Sequence, residues 1–178
     1  KGIFTTLSSC ASRQLEEVTF RRATISVPEL MATAGKYFRK VYKGNKAHID
    51  FKIQLLEGRI TGDWNQLRFL LENLIDEACS VTLDGAVCLS AREDGEFIRF
   101  LFTDMRREKT REELNQLFYP DLSRMTAGEK GELYGTEYLV CKQIIRDHDE
   151  FAGRRGCRIN AEPGKEGGFT IYFTLPKK

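Results

Sequence analysis

The chain has 178 residues, 41% of them hydrophobic and 30% charged, which suits one compact domain able to bury roughly two thirds of its unfolded surface without disulfide staples. A formal charge of +2 is too small to announce a nucleic-acid or acidic-membrane partner. Cys10, Cys79, Cys88, Cys141 and Cys157 make an odd count with no Cys-x-x-Cys and sit mostly in apolar segments, so they read as small hydrophobes in a reducing compartment; with His48 and His148 they offer no metal-ligand spacing.

Residues 1–22 read as a tail, with Leu7 to Phe20 as the end of a helix begun upstream, and residues 23–178 as the domain. The chain opens at Lys1 without a methionine or a signal peptide, so it is expected to be a fragment of something longer. No apolar run approaches the ~20 residues of a membrane span. The first firm element is a helix in "ISVPELMATAGKYFRKVY": Ser26 is a cap, Pro28 suits a first turn, and Leu30, Ala34, Tyr37, Phe38 and Val41 share a face. "AHIDFKIQLLEGRITGD" reads as two strands, with His48, Asp50, Lys52 and Gln54 alternating against Ile49, Phe51, Ile53 and Leu55, which makes His48 a solvent-facing strand residue.

A second helix follows in "DWNQLRFLLENLIDEACSV", with Asp63 as cap and Leu67, Leu70, Leu71, Leu74, Ile75 and Ala78 as a wide apolar stripe. "GAVCLSARED" and "GEFIRFLFTD" form a strand pair turning at "EDG", and the second strand exits on Asp104. A short helix, "REELNQLF", leads to a long aperiodic loop from Tyr119 to Tyr134, then to a helix, "TEYLVCKQIIRDH", and two closing strands. Strands pairing in hairpins with helices between the pairs predict an α/β two-layer sandwich, its helices packed on one face of a mixed sheet.

Three of these segments carry a resemblance. Asp63, Leu67, Leu71, Asn73, Leu74, Ile75 and Ala78 match the N-box helix of the histidine-kinase ATP-binding domain. Phe102 to Pro120 is similar to the strand, Asp-x-Gly-x-Gly loop and Phe-containing segment that follow it, and "YGTEYLVCKQIIRDH" with "GGFTIYFTLP" to the helix beyond the ATP lid and the closing strand. The chain from about Ile25 to Pro176 thus resembles the GHKL family, whose Bergerat fold has a mixed, mainly antiparallel sheet. His148 matches a structural position of that family, at the end of the post-lid helix.

The resemblance implies ATP and Mg²⁺ as cofactors if the pocket functions, and none if it does not. It places Asp104 on the adenine, Asn73 and Glu77 near the metal, and Gly135 in the second glycine box. Glu77 stands where a second Asn is expected, and a carboxylate there either ligates Mg²⁺ or repels phosphates. Met105, Arg106 and Glu108 replace Asn and both glycines of the loop, Leu133 and Glu137 stand at glycine positions, and Phe169 takes the place of a Thr that contacts the base. Each survivor also has an ordinary reading: Asp104 capping the next turn, Asn73 bonded within its helix, Gly135 serving the loop.

The function implied is a divergent ATP-binding domain of a bacterial two-component sensor histidine kinase, with weakened or lost nucleotide binding. Whether it is an enzyme stays open. No residue here is the nucleophile, because neither histidine lies on a dimerisation helix. A pseudo-ATPase interaction module and an anti-sigma-type serine kinase are the alternatives. The partners implied are upstream dimerisation or phosphoacceptor helices, with a homodimer formed through them, or a response regulator, in the cytoplasm and without nucleic acid or membrane contact by this domain. The parent protein could be membrane-anchored.

Overall fold

The computed structural model describes residues 20–119, 126–127, 133–134 and 137–178. The tail through residue 19, Gly135 and most of the Tyr119 to Tyr134 loop lie outside the described residues.

Strand β1 (Ala23–Ser26) leads directly into helix α1 (Val27–Val41). Ser26 caps the helix, its hydroxyl accepting from the Glu29 N–H at 3.3 Å, and proline occupies the first turn, where its missing N–H costs nothing. Leu30 and Ala34 are buried as the periodicity predicts, but Val41 is 49% exposed. Tyr37, on the predicted face, does turn inward, and Tyr42 just past the helix joins it. Both hydroxyls donate to Asp76 Oδ1, at 2.7 and 2.6 Å, and bind α1 to the next helix.

Strand β2 (Ile49–Ile53) and strand β3 (Arg59–Gly62) do not pair with each other, which corrects the hairpin expectation. β3 pairs antiparallel with β1, Ile25 opposite Ile60. β2 pairs parallel with strand β4 (Gly85–Asp94), Ile49 opposite Gly85. The physical reason is the crossover: a parallel neighbour needs a long connection, and helix α2 (Trp64–Cys79) supplies it. His48 lies just before β2, exposed, its backbone N–H donating to Asp84 Oδ1.

β4 turns through Gly95 and Glu96 into strand β5 (Phe97–Asp104), with Asp94 opposite Phe97. Helix α3 (Arg111–Gln116) opens with a reciprocal capping box between Thr110 and Glu113. Short strands β6 (Thr126–Ala127) and β7 (Leu133–Tyr134) pair with each other, and helix α4 (Glu137–Phe151) follows. Strand β8 (Ile159–Pro163) and strand β9 (Phe169–Pro176) close the chain as an antiparallel pair.

The main sheet has the order β2-β4-β5-β9-β8, antiparallel except for β2 with β4. Strict alternation along β5 sends Ile98, Phe100, Phe102 and Asp104 to the buried side. There the apolar members meet Leu67, Leu70, Leu71 and Leu74 of α2 and Val140, Cys141, Ile144 and Ile145 of α4 in one core. Phe100 and Phe173 stack across β5 and β9 with ring centroids 5.0 Å apart. Each fully buried Leu or Phe contributes about 1.5–3 kcal/mol, so the alternation sets the register, and the register delivers Asp104 to the helix side.

Candidate functional site

Asp104 is the last residue of β5, opposite Phe169 of β9, and only 1% of it reaches solvent. Its carboxylate accepts four hydrogen bonds. Oδ1 takes the Arg106 backbone N–H at 3.0 Å and Arg106 Nε at 2.9 Å; Oδ2 takes Arg106 Nη2 at 2.8 Å and Arg107 Nε at 2.9 Å. An ionised carboxylate offers about four lone-pair sites, so this one is saturated by its own loop. Burial pushes the carboxyl up, but the Arg106 side chain and backbone, with Arg107 beside them, outweigh it and hold Asp104 below the usual carboxylate range.

The Arg106 side chain is as buried as that of Asp104. Besides Asp104 it donates to the carbonyls of Ala78 at 2.6 Å, Val81 at 3.0 Å and Leu83 at 2.9 Å, which employs all five guanidinium N–H groups. The side chain therefore closes the C-terminal end of α2, where orphan carbonyls favour a cation. Gly85 makes the space: a Cβ there would lie 2.8 Å from Arg106 Cγ, on a backbone with φ of +137°.

Arg107 points the other way. Its Nη2 and Nη1 grip Glu77 Oε1 and Oε2 at 2.8 and 3.1 Å, so one guanidinium bridges the Asp104 and Glu77 carboxylates. Tyr138, at the start of α4, donates its hydroxyl to Glu77 Oε1. Burial and the adjoining Glu77 together push the Tyr138 hydroxyl well up. The Phe169 ring lies beside this network, 5.3 Å from Arg107 Cζ and 5.2 Å from Lys109 Nζ.

The loop after β5 is held down by the β8–β9 turn. Glu108 Oε1 accepts from the Gly168 N–H at 3.0 Å, and a Cβ on Gly168 would come within 2.1 Å of the Asp104 carbonyl oxygen. Gly85 at the start of β4 and Gly168 in the β8–β9 turn thus give the 104–108 loop its close approach.

Of the residues named from sequence, Asp104 and Glu77 meet through Arg107. Asn73 lies one turn before Glu77 on α2, and its Nδ2 donates to the Phe69 carbonyl of the same helix at 2.7 Å. Among the described residues, no group of three or more His, Cys, Asp or Glu side chains is placed to hold a metal ion. His148 is fully buried, its Nδ1–H donating to Ile144 O at 2.8 Å and its Nε2 accepting the Asp63 N–H at 3.0 Å. Arg107 and Tyr138 escape a reading of sequence alone. A basic residue three positions beyond a strand's final Asp is the one hint of the first, and nothing in the helix "TEYLVCKQIIRDH" singles out Tyr138.

Residues 62–178 match the family described as histidine kinase-, DNA gyrase B- and HSP90-like ATPase. The chain belongs to this ATPase family. It is 29% identical over 137 residues to the adaptive-response sensory kinase SasA of Thermosynechococcus vestitus, a match covering 76% of this chain and 34% of that kinase, so the chain spans about a third of that relative's length. The catalytic domain of histidine kinase ThkA, in a nucleotide-free form, superposes with a TM-score of 0.67 at 19% identity, over 88% of this chain and 96% of the other. ThkA solved in complex with the response regulator TrrA gives 0.69 at 18% identity, over 98% and 48%. These likenesses establish the fold of a histidine-kinase ATPase domain, with its mixed sheet covered by helices on one face. Members of the family bind ATP, usually with Mg²⁺.

Proposed function

We propose that this ATPase-family domain belongs to a two-component sensor histidine kinase, that it has given up nucleotide binding, and that it acts by protein interaction. The observation that carries this is the saturated Asp104 carboxylate. An adenine amino group needs a free acceptor on that residue, and Arg106 and Arg107 occupy all four of its lone-pair sites. Release would strand a buried charge, which costs several kcal/mol.

The metal side fits no better. Asn73 spends a donor within α2, and both Glu77 oxygens are held by Arg107. The residues present therefore do not fit ATP with Mg²⁺. What persists is the folded surface of a kinase domain. The likeness to ThkA, a kinase seen with its response regulator, supports a partner of that class, or the dimerisation helices of the parent kinase. No helix among the described residues is long and apolar enough to cross a membrane.

Calorimetric titration with a non-hydrolysable ATP analogue, with and without Mg²⁺, tests the reading. The expected result is no heat and no thermal shift at millimolar ligand. Saturable binding that disappears in Asp104→Ala would return the domain to the nucleotide-binding class.

A further inference from the structure

Arg106 and Arg107 are adjacent, yet their places in the molecule differ. The Arg106 side chain is 1% exposed and donates to the carbonyl of Ala78 in the last turn of α2 and to those of Val81 and Leu83 beyond it, so it belongs to the frame. The Arg107 side chain is 14% exposed, and its bonds go to Asp104 and Glu77. Removing it subtracts an occupant and leaves the frame's bonds in place.

The surroundings of that occupant are specific. Glu77 presents both oxygens to one edge of the guanidinium, Asp104 Oδ2 meets the Nε edge, and the Phe169 ring lies 5.3 Å from Cζ. Tyr138 holds Glu77 in position by donating to Oε1. Carboxylates at two edges and an aromatic ring nearby select a planar, delocalised cation over a compact ammonium, which cannot bridge both carboxylates with in-plane donors.

On the reading that the nucleotide position is closed, we propose that Asp104, Glu77, Tyr138 and Phe169 form a guanidinium-binding box, and that Arg107 fills it from within the chain. The ligand class is a guanidinium-type cation. In the native protein the box works as a latch, drawing the loop after β5 toward α2 and α4.

The test titrates Arg107→Ala, in the 178-residue chain, with methylguanidinium chloride and reads the thermal midpoint, with methylammonium chloride at equal ionic strength as the comparison. The expected result is a saturable rise with methylguanidinium, at least tenfold tighter than any with methylammonium, weakened about tenfold by adding Glu77→Gln. The wild type, its box filled, shows no saturable rise. A folded Arg107→Ala chain that binds neither cation, or both alike, overturns the proposal.

A second measurement needs only the native chain and Glu77→Gln. Side-chain ¹⁵N NMR is expected to show hindered rotation of the Arg107 guanidinium in the native protein, lost in Glu77→Gln while Arg106 is unchanged. Freely averaged Arg107 signals in the native protein overturn the box whatever becomes of Arg107→Ala. The two readings fail separately: an ATP analogue bound by the wild type sinks the closed site, whereas a nucleotide but no guanidinium bound by Arg107→Ala sinks the box alone.

Discussion

The two ends of α2 are finished by opposite means. At the N-terminus Asp63, the residue next to the helix, accepts the Gln66 N–H on Oδ1 at 3.1 Å and the Arg21 N–H on Oδ2 at 2.8 Å. At the C-terminus Arg106, 28 residues further along the chain, donates to the Ala78 carbonyl, and then to those of Val81 and Leu83. Both ends carry the charge that the helix dipole favours, an anion at the start and a cation at the finish. The first is a local device. The second exists only because β5 ends beside the last turn of α2, and it ties the helix terminus to Asp104, the carboxylate that the family resemblance points to as the reader of adenine.

The sharpest way to break the comparison is at the distant end. Arg106→Ala leaves Asp104 buried with half its hydrogen bonds and removes the guanidinium from the carbonyls of Ala78, in the last turn of α2, and of Val81 and Leu83 beyond it. It is expected to destabilise the chain by about 3–5 kcal/mol in chemical denaturation, the cost of stripping one partner from a buried ion pair. A loss below about 1 kcal/mol would mean that water replaces the guanidinium and that the helix end is not closed as described.

Acid attacks the same pair from its other side. Because Asp104 is held below the ordinary carboxylate range in the folded state, its contribution is fully present above about pH 4, where the unfolded chain titrates, and fades as pH falls through the folded value. Wild type should therefore lose more stability than Asp104→Asn on going from about pH 5 to pH 2. Parallel profiles would place the ionic contribution elsewhere.

The near end should give the smallest effect. Asp63→Ala removes one cap and the Arg21 contact, an expected loss of about 1–2 kcal/mol by the same denaturation assay. If it equals the loss in Arg106→Ala, the contrast between a local cap and a long-range staple collapses.

Much of the fold was legible. The 3.6-residue stripe of α2, the Ser26 and Asp63 caps, the turn at Gly95 and the alternation along β5 are all short-range patterns, and the structure repeats them. The misreadings sit where pairing is long-range. β2 and β3 look like a hairpin because they are close in sequence, yet each pairs with a strand on the far side of a helix. Val41 fits the apolar face of α1 by period and is exposed all the same, whereas Tyr42, just past the helix, turns with Tyr37 toward Asp76 of α2.

The site divides along the same line. That Asp104 ends a run of strand-forming residues and that Glu77 lies one turn beyond Asn73 can be read from local spacing, and these positions carry the family resemblance. What Asp104 and Glu77 hold on to is a fact of tertiary structure. Local spacing sets which face a residue takes, because backbone geometry repeats every two or 3.6 residues. The partner of a buried charge depends on which side chain the packing brings within about 3 Å, and no period of the chain encodes that distance.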